Sequence, residues 1–494
     1  MSSTPTPDVV TAVAELCALA RRLSAGTVHV DRADAIEARF DGPLRVAIAG
    51  RVKAGKSTLL NALVGERLAT TDAGECTRIV TVYRHAAGYE VTAIRHDGTR
   101  EPLRFRRADG ALQVDLGALT PDDVAQLDVG WPASTLRGLT LVDTPGLASL
   151  DGPTSRRTLD FMAHHHEQVS GADAVIYLMR HLHRTDGEFL AAFMDRSVAG
   201  ASPVHAIALL SRADEVGAGR LDAMESAATI AARYRDRSEV STLVSDVLPV
   251  AGLLAETAMS LREDEVAALR SIAALPEATR ALVLLSADDF CDVAHTEITV
   301  ERRRDLLDRL GLFGARWAVA DLIPDPSRSA GDLARSLADR SGIDAVRRRI
   351  EQQFGPRARL LQARSAMLAL RDLAAVLTTT DAHAGGRLRA ELDRLETTAV
   401  EFARLTAVHL VMSGAATLPP SERDEVVQLL EKGTGDVAGN DGRADDGDTA
   451  SRRAEAIAGI ERWRSRAEDP LASTAVVTVA DTMTRWYEHR YVTA

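Results

Sequence analysis

One stretch, Gly50-Arg51-Val52-Lys53-Ala54-Gly55-Lys56-Ser57, constrains this chain more than any other. It fits the pattern G-x-x-x-x-G-K-[ST], and its setting fits too. An apolar run at residues 44–49 precedes it, and a helix-like stretch at 58–64 follows. A loop of this kind needs a strand to deliver it and a helix to receive it. Its glycines let backbone N–H groups wrap phosphate oxygens, and the helix N-terminus adds its dipole. Gly50, Lys53, Ala54, Gly55, Lys56, Ser57 and Thr58 are therefore expected to line a nucleotide phosphate site. Lys56 would bridge the β- and γ-phosphates, and the Ser57 hydroxyl would bind Mg²⁺.

The surrounding pattern agrees with such a site. Short apolar runs at 44–49, 139–142, 174–178, 204–210 and 247–251 read as buried parallel strands. Alternation with helical stretches predicts an α/β domain with a mostly parallel sheet and helices on both faces. Residues 79–116 break the alternation. There, 89–94, the turn-like 96–99 and 103–105 predict an inserted antiparallel hairpin. A helical stripe (Val10, Val13, Leu16, Ala20, Leu23) precedes the domain, and Pro43 closes that region. Beyond about residue 260 helical stripes dominate. They include Val266, Leu269, Ile272; Ile343, Val346, Ile350, Phe354; and Leu388, Leu392, Leu395, Ala399, Phe402, Leu405. The last resembles a bundle seam. Residues 433–450 are rich in glycine and aspartate and read as a disordered loop between two bundle helices. The expected plan is an N-terminal helical region (1–42), an α/β domain (43–260) and a helical bundle (261–494), with the N-terminal helix folding back onto the bundle.

Composition narrows the function. The net charge of −12 argues against a nucleic-acid partner held by bulk positive charge. Three widely spaced cysteines exclude a disulfide scaffold and fit a reducing cytosol. No segment reaches the ~18 apolar residues of a membrane span, and the N-terminal sequence lacks the charged and apolar regions of a signal peptide. Of 59 basic residues only Lys53, Lys56 and Lys432 are lysine. Two of the three lie in the phosphate loop, where an ammonium has work a guanidinium cannot do.

Further motifs extend the site. The run at 139–142 leads into Asp143-Thr144-Pro145-Gly146. Asp143 can hold Mg²⁺ through water, and the Gly146 N–H can report the γ-phosphate. The run at 204–210 ends in Ser211-Arg212-Ala213-Asp214. The Asp214 carboxylate can accept hydrogen bonds from guanine N1–H and N2–H₂, a donor pair adenine lacks, so it would select GTP. Ser211 and Arg212 depart from the usual [NT]-K-x-D, but a guanidinium can still stack over a base. Ala251, after the last strand, is a candidate backbone contact to guanine O6. Thr77, in Glu75-Cys76-Thr77-Arg78, could complete the Mg²⁺ shell, with Thr70, Thr71 and Thr81 as competitors.

The interval from Lys56 to Asp143 spans 87 positions, about twice what a minimal GTPase of this type needs. Together with the GKST, TRIV, DTPG and SRAD motifs and about 230 helical residues beyond, this layout resembles the dynamin superfamily, bacterial dynamin-like proteins in particular. The resemblance implies GTP hydrolysis to GDP and phosphate. It also implies a GTP-dependent homodimer through the GTPase heads, or a hetero-pair with another dynamin-like protein. A helical neck and trunk would tether, fuse or cut membranes as peripheral partners at the inner face of the plasma membrane. Val52 and Lys53 occupy positions where eukaryotic dynamins carry Gln-Ser. Lys53 also sits where the related guanylate-binding proteins place an arginine finger, so a catalytic role in cis is expected for it. Lys53, Lys56 and Thr77 are the catalytic candidates.

Membrane-contact signals are weaker. The longest uncharged stretch, 405–421, reads as a buried bundle helix and its loop, or as a trunk tip at lipid headgroups. Phe313 and Trp317 read as core. His164-His165-His166 cannot converge on one metal if helical. The alternative function is a GTP-dependent switch that binds a protein partner without remodelling membranes.

Overall fold

The computed structural model describes residues 8–68, 79–108, 111–145, 171–181, 187, 205–237, 240, 243–292, 298–412, 414–428 and 446–493. Helix α1 (Val9–Ser24) buries Val9, Val13, Leu16 and Ala20 along one stripe. Helix α2 (Val30–Asp41) buries Ala33, Ile36 and Phe40 and stops before Gly42-Pro43, because proline disfavours the helical conformation of the residue preceding it.

The sheet begins with β1 (Leu44–Gly50), followed by helix α3 (Lys56–Val64). Strands β2 (Val80–His85), β3 (Glu90–Arg95), β4 (Arg100–Pro102), β5 (Arg104–Ala108), β6 (Ala111–Asp115), β7 (Val124–Trp131), β8 (Leu139–Asp143), β9 (Ala174–Met179) and β10 (Ala206–Ser211) follow. Helix α4 (Ala223–Arg235) then leads to β11 (Val247–Val250). Among the described residues nine strands form one sheet in the order β11-β10-β9-β1-β8-β2-β7-β3-β4. The half from β11 to β8 is parallel, with β1 between β8 and β9. One face packs on α3 and the other on α4, each through its own apolar core. The five apolar runs are thus β1, β8, β9, β10 and β11, as expected for a mostly parallel sheet covered on both sides.

The inserted region differs from the expected single hairpin. Strand β3 pairs with Arg100–Pro102, in the register Thr92↔Pro102 and Ile94↔Arg100, and of the expected 103–105 only Leu103 reaches it, its N–H donating to Val91 O at 2.9 Å. The tight turn decides this. Gly98 sits at φ +84, and Asp97 Oδ accepts from Thr99 N at 2.9 Å, so residue 100 falls opposite Ile94. Arg104–Ala108 instead pairs with Ala111–Asp115 as a separate ribbon. Strands β2 and β7 were not foreseen. They interleave Arg84, Gln126 and Asp128 among apolar residues, and the burial of Asp128 is made tolerable by Arg84 (2.7 Å) and Arg100 (3.1 Å).

The helical half divides by packing. Helices α5 (Gly252–Ala258), α6 (Glu263–Ala273), α7 (Glu277–Val283), α8 (Ala287–Asp292), α9 (Val300–Leu322) and α10 (Ala330–Arg340) share a core with Ala223 and Ala251 of the α/β unit. In α11 (Ile343–Phe354) the stripe Ile343, Val346, Ile350, Phe354 packs on the sheet core, not on the bundle. The bundle consists of α12 (Ala358–Thr380), α13 (Ala382–Thr398), α14 (Val400–Met412), α15 (Pro420–Gln428), α16 (Asp446–Ala467) and α17 (Thr474–Thr493), closed by α1 and α2. The N-terminal helices pack into the bundle core through Val13, Leu16, Ile36 and Phe40. Asp381 turns α12 into α13, its Oδ1 accepting from His383 N and Ala384 N at 3.0 Å. The seam from Leu388 to Leu405 is buried, but Ala399 leaves the helical conformation (ψ 108) and splits it between two helices. Helix α16 begins at Asp446, inside the glycine-rich stretch read as a loop; 433–445 lie outside the described residues. Among the described residues no helix is long and apolar enough to cross a membrane.

Candidate nucleotide site

Strand β1 delivers the phosphate loop at the edge where its neighbours β8 and β9 also end. Gly50 leaves the strand at φ +149, and a Cβ there would lie 2.5 Å from the Leu178 carbonyl oxygen. Only glycine fits so close to β9. Gly55, at φ +93, caps α3, and Lys53 takes a left-handed conformation (φ 63) with its side chain in solvent. Ala54 is buried beneath the loop.

Lys56 is buried, and its Nζ donates to the carbonyls of Gly50 and Arg51, each at 3.3 Å. The ammonium is thereby stretched back over the loop that would hold phosphate. Burial lowers its pKa, and the Asp143 carboxylate pulls it partly back. Asp143 ends β8, and its Oδ2 accepts from Ser57 Oγ at 3.1 Å. Burial pushes its pKa up, while Lys56 and the Ser57 hydrogen bond pull it down. Among the described residues Asp143 Oδ1 is buried without a hydrogen-bond partner, a cost that a ligand would remove. This donor set fits Mg²⁺, a hard cation that takes oxygen ligands and keeps several of its waters. Ser57 would hold the ion by its hydroxyl and Asp143 through a bound water. The ion would neutralise phosphate charge when present.

The segment after β10 carries Arg212 and Asp214, the residues expected from sequence to read the base. Arg212 is left-handed (φ 54), and its guanidinium reaches across the site to the Lys53 carbonyl at 3.3 Å while pairing with Glu215 at 2.9 Å. The arginine thus lies beside the phosphate loop, where its plane can cover a base. Asp214 is buried at the start of the 3-10 segment Ala213–Ala218. Burial pushes its carboxyl up to about 6; its own backbone N–H and Arg212 oppose the rise, and Glu215 adds to it. Ser211 does not reach the site, since its hydroxyl donates to Met179 O at 3.2 Å.

Ala251 departs from expectation. Its N–H already donates to Ser341 O at 2.8 Å, so that amide is not open for guanine O6. It caps α5, whose first residue Gly252 lies against Thr58: a Cβ at Gly252 would be 3.7 Å from Thr58 Cγ2. Thr81 is bound into β2 opposite Asp143, with its hydroxyl on Ile79 O. Thr70, Thr71, Cys76, Thr77, Gly146 and His164–His166 lie outside the described residues. Among the described residues no group of three or more His, Cys, Asp or Glu side chains could hold a metal.

One network had no sequence signal. Buried Glu256 accepts from Asn61 Nδ2 (3.2 Å) and Arg67 Nε (2.8 Å), while Asn61 Oδ1 accepts from Leu68 N (2.8 Å). It ties the C-terminal end of α3 to α5, and nearly 190 residues separate the partners, a distance no spacing rule bridges.

Residues 46–198 match the model of the dynamin family. The chain is 37% identical over 440 residues to the isoniazid-induced protein IniC of Mycobacterium tuberculosis, covering 89% of this chain and 88% of that one. It is 30% identical over 150 residues to the bacterial dynamin-like protein of Nostoc punctiforme, covering 28% of this chain and 20% of that one. Identity to the tRNA modification GTPase MnmE of Azorhizobium caulinodans is 35% over 125 residues, covering 24% of this chain and 28% of that one.

Proposed function

We propose, for a chain that belongs to the dynamin family of GTPases, that GTP cleavage in the head moves the helical bundle to tether or reshape membranes. The chain is a GTP hydrolase; what is proposed is what the hydrolysis drives. The observation that carries the reading is how the bundle is fastened to the strand that delivers the phosphate loop. Helix α2 packs in the bundle core and is separated from β1 only by Gly42 and Pro43. Around that joint Arg359 Nη1 donates to Phe40 O at 2.7 Å, and Gln362 Nε2 donates to Gly42 O at 2.6 Å. Arg39 pairs with the buried Asp173 carboxylate, which also accepts from Arg45 N of β1 at 2.9 Å. A shift of β1 or β9 on phosphate release is therefore felt directly by the bundle.

Within this reading Ser57 and Thr77 would hold Mg²⁺, which would neutralise phosphate charge, and the Gly146 N–H would report the γ-phosphate. Lys53, exposed at the rim, supplies positive charge to the β–γ bridge oxygen that leaves with GDP once two heads meet, as a homodimer or as a hetero-pair with another dynamin-like protein. The membrane is met peripherally from its cytoplasmic side.

A second reading, a GTP switch that binds a protein partner, has its own support. The longest uncharged stretch contributes Leu405, Ala407, Val408, Val411 and Ala416 to the bundle core, so these side chains are withdrawn from lipid. Liposome tethering with GTP separates the two. Tethering by the wild type that is lost in Lys56→Ala supports the membrane reading. GTP turnover without lipid binding would replace it by the switch.

A further inference from the structure

The loop that carries the base-reading residues does not hold itself in place. After Asp214 the 3-10 segment breaks at Val216 (ψ 134), and Gly217, Ala218 and Gly219 all take positive φ (62, 58 and 69). Three consecutive left-handed residues, one with a side chain, form a strained turn that persists only if neighbours over-determine it. Those neighbours lie about a hundred residues further along the chain.

Helix α9 is kinked at Gly311 (φ 63), and the kink faces this turn. A Cβ at Gly311 would lie 3.4 Å from Asp214 Oδ2, and one at Gly219 would lie 3.2 Å from Phe313 N. One turn beyond the kink, the half-buried Arg316 spends its guanidinium on four carbonyls. Its Nη1 donates to Ala218 O (3.0 Å) and Gly219 O (2.6 Å), its Nε to Leu284 O (2.9 Å) and its Nη2 to Leu285 O (2.8 Å). The next residue, Trp317, donates from Nε1 to Leu221 O at 3.2 Å, with the Arg340 guanidinium 4.0 Å over its ring. Four carbonyls from two elements that never meet in sequence converge on one planar fork, a geometry an ammonium cannot reproduce.

We propose that Arg316 is a positioning residue for base selection, clamping the turn after Asp214 to the end of α7 and to α9 so that the Asp214 carboxylate is presented to guanine in one orientation. The inference rests on the reading of Asp214 as the base-reading carboxylate. It adds that the helices between 263 and 340 set nucleotide specificity without touching nucleotide. Two hydrogen bonds to N1–H and N2–H₂ need a fixed carboxylate; a mobile one keeps the N1–H bond more readily than both.

The test compares GDP with IDP, whose base lacks the 2-amino group. Calorimetric Kd values are measured for the full-length wild type, Arg316→Lys, Arg316→Ala and Asp214→Asn, with thermal melting of each. Both Arg316 variants should weaken GDP about tenfold and IDP less, so that the GDP-over-IDP preference falls at least about threefold. The loss in GTP turnover should fall on KM rather than kcat. A purely structural role would lower the melting temperature and leave the preference unmoved, which overturns the proposal. If Arg316→Ala does not fold, an unchanged preference in Arg316→Lys overturns it equally. Asp214→Asn separates the two failures. If it keeps wild-type GDP affinity and preference, the reading of Asp214 falls, and the clamp's purpose falls with it. If it loses them while the Arg316 variants do not, only the clamp proposal is wrong.

Discussion

Guanine-nucleotide affinity should drop on acidification in a way set by one buried carboxyl. Asp214 can accept two hydrogen bonds from guanine only when ionised, and its burial raises its titration to about 6. Arg212 and Glu215 are the charged neighbours that adjust that value. A carboxyl titrating there is roughly nine-tenths ionised at pH 7 and one-tenth ionised at pH 5. GDP affinity should therefore fall about tenfold between these values, about 1.4 kcal/mol. The sign for folding is the reverse. A carboxyl whose folded pKa is raised binds protons in the native state before the unfolded chain does, so acidification from pH 6 toward the ordinary carboxyl range relieves the cost of burying this charge and firms the empty protein, while it weakens binding. Calorimetry of GDP binding from pH 5 to 7.5 measures the slope, and at pH 6 this carboxyl should release about half a proton on binding. The phosphates of GDP titrate in the same range, so the same series on Asp214→Asn supplies the background. Equal slopes in the wild type and Asp214→Asn would refute the assignment of the effect to this carboxyl, whatever the absolute affinities.

Gly50→Ala should destabilise the head by about 1–3 kcal/mol and weaken GTP binding, because the new methyl would lie 2.5 Å from the Leu178 carbonyl; an unshifted denaturant midpoint with normal affinity would contradict this close approach. Ser57→Ala removes the hydroxyl facing Asp143, so half-maximal GTP turnover should require about tenfold more Mg²⁺ or beyond; a magnesium titration with the wild-type midpoint argues against Ser57 as a ligand. Leu370→Ala, at the centre of the bundle core, should cost about 2–5 kcal/mol, read as a lower melting temperature of the full chain, with nucleotide affinity in the isolated step unchanged; a loss of GDP binding without a thermal shift would mean that the bundle acts on the site by another route.

Local features of this chain were written in local sequence. The loop Gly50–Ser57 could be read directly, because phosphate binding by backbone amides needs glycine at set positions and an ammonium at one more. The five parallel strands were equally plain, because burial on both faces demands unbroken apolar runs such as Ala174–Met179. Strands β2 and β7 were hidden, although both lie inside the sheet, because they interleave polar residues whose partners, such as Arg84 and Arg100 for Asp128, are supplied from other strands. Helix past residue 260 could be read from a few apolar stripes, but its packing could not be assigned. An apolar stripe states that a face is buried and does not say against what. Only tertiary packing sent Ile343, Val346, Ile350 and Phe354 to the sheet and Leu388 and Leu392 to the bundle. The same holds around the nucleotide. Asp214 and Lys56 announce themselves by motif, whereas the Ser341 carbonyl that occupies the Ala251 amide, the Glu256 that ties α3 to α5, and the Arg316 fork behind the base loop come from segments up to about 195 residues away. Hydrogen bonds and packing act over a few ångströms, and a chain brings such groups together only by folding.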